Sequence, residues 1–179
     1  MFHTSRTWYT VAPGDTLPSV RLHGRKGPGD AVDALAFFKP YRRAILIGVP
    51  GAFTPGCSKA SEPLRHRTHL PSYIKAYDEL KRKGVEKVVC VTVNDAFVAQ
   101  AWADQLGAGD KVILLADPKA ELVKSLGLSF DASGACPLGG IRSKRFAMVL
   151  EHGKVIKLNV EPDATGLTCS LADNVMKDL

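Results

Sequence analysis

One cysteine in this chain stands where a polypeptide can make a thiol reactive. The segment Pro50-Gly51-Ala52-Phe53-Thr54-Pro55-Gly56-Cys57-Ser58-Lys59 follows a short apolar run, and its prolines and glycines shape a loop that ends on Cys57. In open α/β sheets, ligands sit beyond the carboxyl ends of the strands, which is where this loop falls. Several familiar chemistries fail on its spacing. Gly51 and Gly56 are spaced as in a phosphate-binding loop, but Cys57 stands where the lysine for the terminal phosphates belongs. A thiol phosphatase needs an arginine six residues after its cysteine, and that position is Pro63. Lys59 and Ala60 follow in place of the second thiol of a C-x-x-C redox pair. The cysteines, at 57, 90, 136 and 169, lack the close pairs of a zinc site.

What remains is a lone cysteine in the first turn of a helix. A helix N-terminus carries about half a unit of positive charge and unpaired N–H groups, which favour thiolate over thiol. A cysteine of ordinary pKa, about 8.5, is only about 3% ionised at pH 7, and lowering that value to about 6 makes it mostly thiolate. The difference is roughly 3.4 kcal/mol of preference for the anion. A helix end supplies about 1 kcal/mol of it, so a nearby cation must supply the rest. Arg145, which begins a strand after the loop 139–144, is the candidate. The plain alternative for Cys57 taken alone is a buried structural thiol. Cys90, inside an apolar strand, takes that plain reading directly.

The elements that must position this loop are legible from pattern. Arg43 to Val49, Glu86 to Val93 and Val112 to Ala116 read as buried strands. Ser72 to Lys83 places Tyr73, Ile74, Tyr77 and Leu80 on one helical face, with Gly84 as its C-terminal stop. Asn94 or Asp95 caps a second helix through Trp102, and Asp117-Pro118 opens a third. Arg145 to Leu150 and Lys154 to Val160 flank a tight turn, and Ser170 to Leu179 closes as a short helix. The order β, α, β, α, β, α, β-hairpin, α predicts an α/β fold: a mostly parallel central sheet with a late antiparallel hairpin and flanking helices.

The chain has 179 residues, 45% of them apolar and 23% charged, which fits one globular domain over residues 1–179. Its longest apolar run, Ala44 to Pro50, is too short for a transmembrane helix. Met1 to Thr10 lacks the apolar region of a secretory signal, although Arg6 with Ser and Thr is compatible with the remnant of a mitochondrial leader. Lys177-Asp178-Leu179 half resembles a peroxisomal address. Few cysteines and no secretory signal point to a reducing intracellular compartment, mitochondrial or cytoplasmic, with the peroxisome as a third option. A net charge of +6 and a pI near 9.2 admit an acidic partner, yet no motif supports nucleic-acid binding.

The block Pro50 to Ser58 resembles the active-site signature of the peroxiredoxins, specifically the type-5, atypical two-cysteine kind. Val93 to Val98, Leu115 to Pro118, Lys144 to Val149 and Asn159 to Leu171 resemble further blocks of the same subfamily, in the expected order from about Tyr9 to Leu179. The resemblance implies a thioredoxin-like fold and a thiol-dependent peroxidase acting on hydrogen peroxide and alkyl hydroperoxides, with peroxynitrite a further candidate. Cys57 resembles the peroxidatic cysteine, whose thiolate attacks a peroxide oxygen and becomes sulfenic acid. Thr54 is similar to the hydroxyl that bonds the thiolate and orients the peroxide, and Pro50 to the residue that shields the sulfur from water. Arg145 resembles the guanidinium that holds the thiolate and polarises the O–O bond. Backbone N–H groups at Gly56 and Cys57 complete the substrate cradle, and no metal or organic cofactor is implied.

Cys169 lies in the block that supplies the resolving cysteine of this subfamily, which forms an intramolecular disulfide with the first. A bridge needs Cα atoms within about 7 Å, so local unwinding around Cys57 is expected in each cycle. A thioredoxin-like reductant, or a related dithiol such as a glutaredoxin, would then reopen the bridge. Monomer or weak homodimer is the implied assembly, with no membrane partner. Cys136 is unassigned. The chain departs from the family in an eight-residue insertion, Ala60 to Arg67, where Pro63 should leave the helix from Cys57 lengthened, kinked or broken near Glu62. His66 reads as part of a solvated basic face, and His69 as a structural hydrogen bonder. Lys59, Arg65 and Arg67, with Arg142, Lys144 and Arg145, are expected to surround the thiolate with positive charge. The competing function is a redox sensor or chaperone-like protein that passes Cys57 oxidation to a partner.

Overall fold

The computed structural model describes residues 9–24, 30–58, 68–134 and 138–179. The strands are β1 (Arg21–His23), β2 (Ala31–Asp33), β3 (Ala44–Val49), β4 (Lys87–Thr92), β5 (Ile113–Ala116), β6 (Ser129–Asp131), β7 (Ile141–Ser143), β8 (Phe146–Glu151) and β9 (Lys154–Val160). Between them lie α1 (Ala34–Phe38), α2 (Pro55–Ser58), α3 (His69–Lys75), α4 (Tyr77–Arg82), α5 (Ala96–Gln105) and α6 (Glu121–Ser125); α7 (Ala172–Val175) follows β9 and runs into a 3-10 turn. A seven-stranded sheet in the order β2-β1-β5-β4-β3-β8-β9 forms the centre, and β6 and β7 make a separate ribbon.

The β-branched runs behave as their composition requires. β3, β4 and β5 pair in parallel and are almost wholly buried, because parallel strands need cover on both faces. The expected hairpin, β8 and β9, adds antiparallel strands beside β3. Its turn residues His152 and Gly153 both have positive φ, 49° and 80°, the backbone of a two-residue hairpin turn. Helices cover both faces, and the whole is the thioredoxin-like α/β fold. Alternate side chains of β3 divide the core: Ala44 and Leu46 join Val91, Phe146 and Met148 on one face, while Ile45, Ile47 and Val49 join Cys57, Tyr73 and Trp102 on the other. The reactive-cysteine candidate therefore lies within one of the two apolar layers.

Several elements differ from the sequence expectation. The antiparallel additions β1 and β2, with α1 and the β6–β7 ribbon, are absent from the predicted order; strands of three residues are too short to show a period. The helix expected over Ser72 to Lys83 begins earlier, at His69, and breaks at Ala76, whose φ of −80° and ψ of 1° divide α3 from α4. Gly84 ends α4 with φ of 86°, as expected. Of the two caps proposed for α5, Asp95 serves, accepting from Val98 N at 2.9 Å.

One register in this sheet decides where the chemistry falls. Gly48 of β3 pairs with Phe146 of β8, so Arg145, one residue earlier, emerges beside the carboxyl end of β3, where the loop to Cys57 begins. The pairing requires glycine: a Cβ at Gly48 would collide with the Phe146 ring and lie 2.7 Å from Ser143 Oγ. Gly48→Ala should lower stability by about 1–3 kcal/mol through overpacking, read as a fall in the urea midpoint. Adding Phe146→Leu should restore part of that loss; no recovery in the double variant would mean the ring is not the obstacle.

Candidate active site

The loop leaving β3 is held by side chains because it has no strand partner. Asn94 Oδ1 accepts from Ala52 N at 3.0 Å and from Thr92 Oγ1 at 2.6 Å, tying the loop to the end of β4. Phe53 takes the left-handed conformation, φ 63°, and is 45% exposed. A bulky residue held there stores backbone strain of the kind that gathers at functional sites. Thr54 turns the chain into α2: its carbonyl accepts from Cys57 N at 3.1 Å and Ser58 N at 2.9 Å. Pro55 occupies the first helical position, where a missing N–H costs nothing.

Cys57 thus sits in the first turn of a helix, with its side chain fully buried. Arg145 reaches it from the far side of the sheet register. Nη1 lies 3.3 Å from Cys57 Sγ and Nε donates to Thr165 O at 3.0 Å; the residue is only 2% exposed. A Cβ on Gly56 would come within 3.0 Å of Arg145 Nη2, so the glycine gives the guanidinium room. Pro50 is buried at the end of β3. On the other flank, Trp102 Nε1 donates to Ser58 Oγ at 2.8 Å, pinning the residue after the cysteine to α5.

The structure brings Cys57, Arg145, Thr54, Gly56 and Pro50 into one neighbourhood, with two differences of detail. The Thr54 hydroxyl donates to Gly51 O at 3.0 Å, since the carbonyl three residues back is the acceptor within reach of a residue turning into a helix. Cys57 N–H is engaged by Thr54 O, as the helical turn requires. The basic cluster is also differently arranged. Arg142 points its guanidinium at backbone, donating to Gly139 O, Val93 O and Leu138 O. It ties the loop between β6 and β7 to the residue that follows β4 and brings Leu138 over Gly51, whose added Cβ would lie 3.0 Å from Leu138 Cδ2. Lys59, Cys136, His66 and the insertion from Ala60 to Arg67 lie outside the described residues.

Cys169 belongs to the segment after β9. Its thiol donates to Val160 O at 3.4 Å, and it is half-buried; like the buried Cys57 and Cys90, it is a free thiol. Cys90 lies fully buried in β4. Burial pushes its thiol well above the usual range, with the nearby Cys57 adding to the effect. No group of three or more metal-ligating side chains occurs among the described residues.

The Redoxin family model matches residues 12–176. Peroxiredoxin-2E-2, chloroplastic, of Oryza sativa subsp. japonica is 41% identical over 175 residues, covering 95% of this chain and 73% of that protein. Peroxisomal membrane associated protein 20 of Schizosaccharomyces pombe is 39% identical over 171 residues, covering 94% and 99%. The chain belongs to the redoxin family as a type-5 peroxiredoxin. The fold agrees: reduced Prx3 from Vibrio vulnificus, solved in complex with H2O2, matches with a TM-score of 0.82 and 38% identity over 95% of this chain and all of that one. Peroxiredoxin 5 from Alvinella pompejana matches with 0.73 and 34% over 89% and 95%. This peroxiredoxin is a thiol-dependent peroxidase. Among its described residues, no helix is long and apolar enough to cross a membrane.

Sequence reasoning missed the roles by which Asn94, Arg142, Trp102 and Glu161 hold this peroxiredoxin's loops. It did place His69 as a structural hydrogen bonder. His69 Nε2–H donates to Ser170 O at 3.0 Å, joined there by Tyr73 OH at 2.6 Å. Burial, then the Arg145 charge, lowers its pKa to about 3, so it is neutral in the folded protein. An unfolded histidine titrates near 6.5. Between these values the unfolded chain binds a proton that the native one does not, so stability is full above about 6.5 and declines as pH falls. Glu161 behaves similarly at lower pH, its carboxyl held at about 2, and adds its loss below the ordinary carboxylate range. The urea midpoint should therefore fall between pH 7 and 5, reporting a loss of unfolding free energy of up to about 1.4 kcal/mol per pH unit. His69→Gln, which keeps a donor for Ser170 O, should flatten that segment; an unchanged slope would acquit His69.

Proposed function

We propose that Cys57 is the peroxidatic residue of a single domain over residues 1–179 that reduces hydrogen peroxide and alkyl hydroperoxides. The observation that carries this reading is the Arg145 guanidinium 3.3 Å from the buried Cys57 sulfur. In the first step the Cys57 thiolate attacks the terminal oxygen of the hydroperoxide along the O–O axis. A sulfur–oxygen bond forms as the O–O bond breaks; alkoxide or hydroxide leaves, takes a proton, and Cys57 becomes sulfenic acid. Negative charge spreads over sulfur and both oxygens in the transition state. A guanidinium already fixed at the sulfur stabilises that charge without reorganising. Thr54 Oγ1, its proton committed to Gly51 O, offers lone pairs to the peroxide's O–H and so orients it. Gly56 keeps the approach open, and Pro50 limits water at the sulfur.

Cys169 then resolves the sulfenic acid as an intramolecular disulfide with loss of water, and a thioredoxin-like or glutaredoxin-like dithiol reduces the bridge by exchange. Both sulfurs are engaged elsewhere in the reduced form, Cys57 with Arg145 and Cys169 with Val160 O. The bridge therefore requires α2 to unwind from its hold on Trp102. We place the protein in a reducing intracellular compartment, acting as a monomer or weak homodimer. The relatives named for chloroplast and peroxisome support an intracellular setting.

Cys57→Ser should abolish peroxide consumption with a dithiol donor. Arg145→Lys, which keeps the charge but loses the planar fork, should slow Cys57 oxidation about 10²-fold, the scale set by removing one fixed transition-state donor. Cys169→Ser should leave the first oxidation intact and stall recycling. Stopped-flow oxidation with disulfide mapping separates the three. Full turnover by Cys57→Ser would sink the assignment, and unaffected recycling by Cys169→Ser would move the resolving role to another thiol.

A further inference from the structure

The segment from Glu161 to Ser170 performs two tasks with two separate anchors. Its first half holds Arg145: Ala164 O accepts from Arg145 N at 2.7 Å and Thr165 O from Arg145 Nε. Asp163 Oδ1 folds that half into a turn, accepting from Thr165 N and Gly166 N. Its second half carries Cys169 and closes on the Glu161 carboxylate. Oε1 accepts from Thr168 N at 2.8 Å, Cys169 N at 3.0 Å, Ser170 N at 2.9 Å and Ser170 Oγ at 2.7 Å. Oε2 accepts from Thr168 Oγ1 at 2.6 Å. Three consecutive backbone N–H groups and two hydroxyls thus converge on one carboxylate, in a residue only 1% exposed. A buried carboxylate is retained where its hydrogen bonds outweigh desolvation, and this one is spent wholly on the cysteine's segment.

We propose that Glu161 is the positioning residue that restrains Cys169 and sets the rate of disulfide formation. The proposal rests on the reading of Cys169 as the resolving cysteine. In the resolving step, Cys169 sulfur attacks the Cys57 sulfenic sulfur, the S–O bond breaks, and hydroxide leaves with the thiol's proton as water. Cys57–SOH and Cys169–SH become one disulfide and one water. The reduced geometry opposes this in two ways. The thiol hydrogen is committed to Val160 O, and three adjacent amides are pinned to a charge. That charge also stands beside the sulfur: burial first, then Glu161, raises the Cys169 pKa. The other groups facing this pocket are Tyr73 and His69 from α3, both donating to Ser170 O, and Arg145 before β8. Tyr73 and His69 are neutral, which leaves Glu161 as the anion acting on the thiol. Weakening a hold that exists before the step and is released during it speeds the step.

Glu161→Gln keeps the shape and an acceptor but removes the charge. Single-turnover mixing with one equivalent of hydrogen peroxide, quenched at intervals with a sulfenic-acid trap and read by intact mass, follows both steps. Oxidation of Cys57 should stay within about twofold of wild type, because the segment's anchors on Arg145, the Ala164 and Thr165 carbonyls and the Glu161 N–H, are backbone groups that the substitution leaves in place. Disulfide formation should be about fivefold faster, the scale of exchanging charge-assisted for neutral hydrogen bonds. Its pH midpoint should move down, which a merely structural role would not produce. Ser170→Ala removes one hydroxyl and leaves the charge, so it should accelerate the step less and leave the midpoint in place. Unchanged or slower disulfide formation in Glu161→Gln, with wild type forming the Cys57–Cys169 bridge, overturns the role of Glu161 alone. Absence of that bridge in wild type overturns the resolving assignment and this inference together.

Discussion

A guanidinium facing a buried sulfur is the contact on which this structure depends. Arginine keeps its proton under all ordinary conditions, so burying it demands partners around its whole plane. Cys57 Sγ and Thr165 O answer part of that demand, and its backbone is held by Ala164 O and by Glu161 N. Each partner comes from a different stretch of chain. The sulfur comes after β3, the carbonyls after β9, and the arginine before β8. For them to meet, β8 must lie against β3 in the register that sets Phe146 opposite Gly48. A slip of one residue would send every side chain of the strand to the opposite face.

Around this contact the loops are held by side chains rather than by ladders. A loop that must approach a reacting sulfur cannot pair as a strand, yet its backbone groups still need partners. Asn94 serves the loop before Cys57, Arg142 the loop that brings Leu138 over it, and Asp163 and Glu161 the segment carrying Cys169. Each is a polar residue whose local reading is a surface position or a turn. The proposed resolving role of Cys169 fits the division of the last segment between Asp163 and Glu161: the half that holds the cation would stay in place while the half that carries the second thiol lets go. Catalysis by sulfur needs both: a rigid first shell for the transition state and a thiol that moves afterwards.

The basic excess looks different once the fold is known. Positive charge was expected to gather around the thiolate, but Arg142 spends its donors on three carbonyls. Among the described residues of that cluster, Arg145 is the one hydrogen-bonded to the sulfur. Net charge is a sum over the chain and carries no direction, and a single guanidinium at 3.3 Å outweighs several solvated ones, because screening in water is strong and burial removes it.

By itself the sequence determined the parallel centre, the hairpin, the loop at the end of β3 and the cysteine in a first helical turn. Those properties are local: β-branched runs, turn residues and a proline at the first helical position act over a few neighbours. The break at Ala76, the three-residue strands and the roles of Asn94, Arg142 and Glu161 were decided only by tertiary structure. A carboxylate that collects five hydrogen bonds from Thr168, Cys169 and Ser170 is spelled no differently from a solvated glutamate. Its meaning comes from a chain reversal that folds the donors back upon it. The same holds for Arg145, which lies 88 residues from the sulfur it faces; the strand pattern located it, and the pairing of β8 with β3 aimed it.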